Sequence, residues 1–101
     1  MIAFSSFEDL LQKYKQLPDV GWLYVKEPFD LESEDDIING VYYLAEDEDE
    51  EIEFEENYGT FLEAPIFKAI IENKRENSPD STSEDFLKAT IYYLEKDDFL
   101  D

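Results

Sequence analysis

Apolar positions recur along this chain at two different periods, and the changes of period mark its elements. Phe7, Leu10, Leu11 and Tyr14 stand at i, i+3, i+4 and i+7, the stripe of an amphipathic helix. Ser5 and Glu8 precede them in the S-x-x-E spacing of a capping box, where each side chain satisfies the other residue's backbone N–H. Pro18, Asp19 and Gly21 end the segment. Trp22-Leu23-Tyr24-Val25 and Val41-Tyr42-Tyr43-Leu44 are then rich in aromatic and β-branched residues, which predicts two strands paired antiparallel. The stretch between them, Glu27 to Asn39, is too long for a tight turn and carries Glu27, Asp30, Glu32, Glu34, Asp35 and Asp36. It reads as a solvated loop or a short helix.

From Glu46 to Glu56 nine of eleven residues are acidic, and only Ile52 and Phe54 are apolar. Their alternation with Glu51, Glu53 and Glu55 suggests an edge-like third strand with one apolar face; a short helix competes, and the local pattern does not separate the two. Helical spacing returns at Pro65, with Ile66, Phe67, Ile70 and Ile71 on one face and Lys68 and Glu72 outside. Asn77-Ser78-Pro79-Asp80 breaks that helix. Ser81 and Glu84 repeat the capping-box spacing before a last helix carrying Phe86, Leu87, Thr90, Ile91 and Leu94. Asp97 and Asp98 follow, where negative charge opposes the helix dipole, so the helix should stop before them.

These elements predict an α+β fold: a small antiparallel sheet packed with about three helices, including a C-terminal antiparallel pair. No repeat or linker divides the 101 residues, which make a single acidic domain, 1–101. Trp22, Tyr24, Phe67, Ile70, Ile71, Phe86, Leu87 and Leu94 are the expected core. The eight Phe, seven Tyr and one Trp are more than an acidic disordered chain carries, so this one folds.

Charge changes the picture. Twenty-eight acidic residues face eight basic ones, for a net charge of −20. Solubility asks for a magnitude of only about 2–8 in a small domain, and the excess works against compaction. Adaptation to salt would spread acid evenly, whereas here it is concentrated. The chain has no Cys and no His, which excludes disulfides, thiol nucleophiles and zinc held by sulfur or imidazole. An EF-hand needs Gly at its sixth position; counted from Asp30 that position is Asp35, and the run from Asp47 has no Gly there either. No metal site and no cofactor is therefore expected. Serines sit at caps, the carboxylates lie in solvated runs, and the usual bases are missing, so the protein is not expected to be an enzyme.

Direct binding of nucleic acid is disfavoured, because that affinity comes from Lys and Arg neutralising phosphates. The complementary expectation is a basic partner protein, one whose own cleft is built for phosphates. Trp22, Phe54 and Tyr58 are candidate aromatic anchors beside the acid, although such residues are more often simply core. The expected partner-binding residues are Asp35, Asp36, Asp47, Asp49, Glu50, Glu53 and Glu55. The N-terminus lacks a signal-peptide pattern and no apolar run is long enough to span a bilayer, so a cytoplasmic location is expected.

The Phe7-Glu8-Asp9-Leu10-Leu11 opening, the Leu17-Pro18-Asp19-Val20-Gly21-Trp22-Leu23-Tyr24-Val25 segment and the Ser83-Glu84-Asp85-Phe86-Leu87 to Tyr92-Tyr93-Leu94 close resemble a family of small acidic bacterial immunity proteins. Such proteins accompany toxin–immunity loci, including those of contact-dependent growth inhibition. The resemblance rests on packing patterns over most of the chain. It implies a cytoplasmic binder that neutralises a basic toxin domain, often a nuclease, and it carries over no catalytic residue. The competing classes are a nucleic-acid mimic that inhibits DNA- or RNA-binding enzymes, and an acidic accessory domain without a single partner.

Overall fold

The computed structural model describes residues 1–99. Four short strands, β1 (Ile2–Phe4), β2 (Trp22–Val25), β3 (Tyr42–Leu44) and β4 (Gly59–Glu63), form one antiparallel sheet in the order β1-β3-β2-β4. Five helices accompany it: α1 (Phe7–Gln12), α2 (Glu34–Asn39), α3 (Glu48–Asn57), α4 (Ala64–Asn77) and α5 (Ser83–Lys96). A short 3-10 turn at Tyr14–Gln16 follows α1. The fold is α+β, and α4 and α5 pack against each other as a C-terminal pair. The expected pairing of β2 with β3 is present, with Tyr24 opposite Tyr43 and Val25 opposite Tyr42.

Strand alternation sorts the central side chains to two faces. Leu23, Val25, Tyr42 and Leu44 enter the main core with Phe7, Leu10, Phe67, Ile70, Ile71, Phe86 and Leu87. Tyr24 and Tyr43 point to the other face and meet Phe54 of α3 in a second, smaller cluster. Tyr42 is held in the main core by donating its hydroxyl hydrogen to the backbone oxygen of Ile37 in α2. Thr90, the one buried polar side chain of the described residues, returns its hydroxyl to the Phe86 carbonyl at 2.9 Å, a back-bond that helices tolerate.

Of the two readings left open for the acidic run, the helix is the one formed, over residues 48–57. A strand would place Ile52 and Phe54 on one face, whereas the helix separates them: Phe54 is buried and Ile52 is 55% exposed. Glu is a good helix former, and Asp47 caps the first turn by accepting from the Glu50 backbone N–H at 2.9 Å. The segment read as a loop or a short helix contains α2, capped by Ser33, so the described residues hold five helices.

Both N-caps lie one residue later than the capping-box spacing predicts, and only α5 closes a reciprocal box. Ser6 caps α1, and Asp9 reaches back to Ser5 N–H at 2.9 Å. At α5 the reciprocal pair is Thr82 and Asp85, with Thr82 N–H donating to the Asp85 carboxylate at 2.9 Å. Ser81 instead donates its hydroxyl to the Ser78 carbonyl at 2.6 Å.

Two members of the expected core lie outside it. Trp22 is 39% exposed, because it shares the second face with Tyr24 and α3 covers only Tyr24. A register shift between Trp22 and Tyr24 opposite β4 accompanies this. Leu94 is half-buried at the margin of the main core. Helix α5 ends at Lys96, before Asp97 and Asp98 as expected, with Asp97 in the left-handed conformation at φ 58°.

Candidate partner-binding face

Helix α3 lays its acid outward because only a narrow stripe of it is apolar. Phe54 and Tyr58, one turn apart, stack with ring centroids 4.7 Å apart. Phe54 also packs on Tyr24 at 5.3 Å and on Tyr43 at 6.2 Å. Aromatic pairs at such separations add about 0.5–1.5 kcal/mol each beyond area burial. Lys26 lies over the Tyr43 and Tyr58 rings at 5.5 and 5.9 Å. The aromatic cluster therefore anchors a helix whose remaining surface is carboxylate.

The expected binding residues separate on inspection. Asp49, Glu53 and Glu55 are exposed and, among the described residues, their carboxylates accept no hydrogen bond and join no ion pair. Asp47 is exposed but occupied as the cap of α3. Glu50 is engaged internally: it lies 2.9 Å from the Met1 amine and accepts the Glu46 backbone N–H at 2.9 Å. The amine, then the backbone donor, holds the Glu50 carboxyl below its ordinary range.

Asp35 and Asp36 are not brought to α3. They sit on α2, whose Ile37 enters the main core, and they line a separate cleft with Lys26, Phe29, Gly40 and Tyr43. The Asp36 carboxylate accepts from Asp30 N–H at 2.9 Å, which orders the loop ahead of the helix.

No lysine or arginine among the described residues pairs with an α3 carboxylate. Lys13, Lys68 and Lys88 pair with Asp9, Asp19 and Glu84, and Arg75 lies over Tyr14 and Phe86. Apart from the Met1 amine on Glu50 and Glu46, no cation of the described residues pairs with this acidic run.

A cleft of about 290 Å³ opens where β2 meets the start of α3, lined by Val20, Trp22, Tyr24, Glu46, Asp47 and Glu51 among others. Sequence reasoning missed it. Val20 is 77% exposed and Trp22 39%, exposures that the apolar run of β2 does not announce. Tyr24 is 1% exposed, and its hydroxyl has no hydrogen-bond partner. Leaving such a group unsatisfied costs about 1–3 kcal/mol. Burial, then the charges of Glu55 and Glu51, raise the Tyr24 hydroxyl above the ordinary tyrosine range. No group of three or more His, Cys, Asp or Glu among the described residues is arranged to hold a metal ion.

Residues 4–101 match the family described as a domain of unknown function, DUF7716, and the chain belongs to that family. No curated protein matches the chain, and no solved structure does. No helix among the described residues is long and apolar enough to cross a membrane.

Proposed function

We propose that this protein is a binder of the immunity type, which holds a basic, nuclease-type toxin domain against its α3 face in the cytoplasm and blocks it without turnover. The observation that carries this reading is an acidic helix met by a single cation, the Met1 amine on Glu50. Seven of its ten residues are acidic, none is paired with Lys or Arg, and like charges at i, i+4 destabilise a helix by about 0.2–0.5 kcal/mol per pair. Glu48, Asp49, Glu50 and Glu51 stand in the first turn and suit the helix dipole, but Glu53, Glu55 and Glu56 further along add nothing to the fold, whereas a positive partner gains steering and selectivity. The immunity assignment itself comes from the resemblance in sequence.

A second reading has an observation of its own. At about 1.5 Å rise per residue, these carboxylates place one charge about every 2 Å along the axis, close to the roughly 1.7 Å of duplex DNA. A surface with that charge density also suits a nucleic-acid mimic. The two differ in breadth: an immunity protein protects against one cognate toxin, and a mimic engages several DNA-binding proteins.

The test is co-expression with the C-terminal domain of the effector gene nearest to its own, reading growth and nuclease activity. Rescue by the wild type, lost in a D49N/E53Q/E55Q/E56Q variant and kept in E8Q/E72Q, supports the α3 face. Equal loss in both variants means that net charge alone matters. Inhibition of several unrelated DNA-binding enzymes favours the mimic. Failure to bind any basic domain at low salt removes both readings.

A further inference from the structure

We propose that the cleft between β2 and the start of α3 receives the guanidinium of an arginine side chain from the partner protein, held between the Trp22 ring, the Tyr24 hydroxyl and the carboxylates around it. The proposal rests on the reading of a basic protein partner and specifies how that partner is gripped.

Three observations converge on one ligand chemistry. Glu46, Asp47, Glu48 and Glu51 line the cleft, so its occupant carries positive charge. Tyr24 lines it too, and the hydroxyl of this almost fully buried side chain is unpartnered. Tyr24 and Glu51 line the same cleft, which sets the tyrosine beside the carboxylate wall. Trp22 lines the same cleft half-exposed and offers an aromatic surface for a cation. At about 290 Å³ the cleft is at the small end of the range for ligand sites, roughly 300–1,000 Å³, and has room for one long side chain.

Guanidinium meets these demands better than the other cations. Its five N–H donors point in different directions within one plane, so one group donates to the Tyr24 oxygen and to carboxylates together. It stacks on aromatic rings and is weakly hydrated, which eases entry past Trp22. An ammonium is a compact, strongly hydrated point charge. A divalent metal lacks a preformed ligand group here.

Trp22 is the only tryptophan of the chain, so its fluorescence reports on this cleft. The experiment titrates the full chain with arginine and lysine oligomers of equal length, at low salt, by fluorescence and calorimetry. The arginine oligomer should bind about tenfold or more tightly, the scale of one charge-assisted hydrogen bond. Tyr24→Phe removes an unsatisfied hydroxyl and keeps the ring, so it should fold at least as stably while the preference for arginine falls towards unity. Trp22→Leu, read by calorimetry, should weaken the arginine oligomer more than the lysine oligomer. Equal affinity of the wild type for both oligomers, or a preference unchanged in Tyr24→Phe, overturns the proposal. If both oligomers bind equally and the D49N/E53Q/E55Q/E56Q variant releases both, the cleft is wrong and the basic-partner reading stands. If neither oligomer binds, that reading falls and takes the cleft with it.

Discussion

Single residues on this sheet carry constraints that their type alone does not announce. Gly40 precedes β3, and a Cβ there would meet the Phe29 ring and stand 2.7 Å from the Asp36 carbonyl oxygen. The ring can yield, but the backbone oxygen closes α2. Gly40→Ala should therefore destabilise by about 1–3 kcal/mol, the usual range for overpacking, measured by urea unfolding; an unchanged midpoint would show that α2 shifts freely. Tyr42 and Tyr24 give a pH signature. Burial raises both hydroxyls above the ordinary tyrosine value of about 10. The unfolded chain then releases these protons first, so the folded state binds more protons above that pH. Their contribution is whole below about pH 10 and is lost as pH rises towards the folded-state values. Alkaline unfolding followed by tyrosinate absorbance should appear as a cooperative step, weakened in Tyr42→Phe; a smooth, independent titration of all seven tyrosines would contradict it.

At the scale of elements, α3 is held chiefly by one side chain. Phe54 is the only residue of α3 that is fully buried, and Tyr58 just beyond the helix is half-buried. Phe54→Ala should release α3 and raise hydrogen exchange across residues 48–57. The main core, on the opposite face of the sheet, should keep its protection. If the whole chain unfolds instead, the second cluster is part of one cooperative unit. The same element shows where sequence reading stopped. Helices α1, α4 and α5 were legible because their apolar residues repeat at one clear period, and strands β2 and β3 because aromatic and β-branched residues run together there. In 46–56 two apolar residues among nine acids define no period, and capping by Asp47 together with docking of Phe54 on Tyr24 decides for helix. The edge strands β1 and β4 drew no expectation, since Ile2–Phe4 is three residues long and Gly59–Glu63 opens on glycine. Of the binding residues, Asp49, Glu53 and Glu55 stand free on one helix. Glu50 is internally paired and Asp35 and Asp36 lie on another element, facts set by tertiary placement that no local pattern encodes.

Across the whole molecule, the net charge of −20 sets function against stability. Carboxylates gathered on a folded surface repel one another more than in an expanded chain, so the melting temperature should rise with salt as the Debye length falls to about 8 Å at 0.15 M. It should also rise as pH falls from neutrality and the net charge shrinks. The gain ends where specific carboxylates are lost. The Lys13 ammonium and then Ser5 hold Asp9 below its ordinary range, and the backbone and side chain of Thr82 do so for Asp85. Lowered folded-state values mean that these two stabilise above the ordinary aspartate pKa of about 3.9 and cease to as pH falls further. Stability should thus peak on the acid side of neutrality. If α3 is kept acidic for a partner, neutralising it should help the fold and harm the complex. The D49N/E53Q/E55Q/E56Q variant should melt higher than wild type at low salt, each kcal/mol recovered reading as about 4–8 °C in a domain of this size, while its affinity for a basic partner drops. The E8Q/E72Q control removes charge from outer helix faces and should change affinity little. Calorimetric melts and titrations on the same preparations decide it. A variant that melts lower than wild type would mean that these carboxylates serve the fold, and the case for α3 as a binding surface would lose its physical basis.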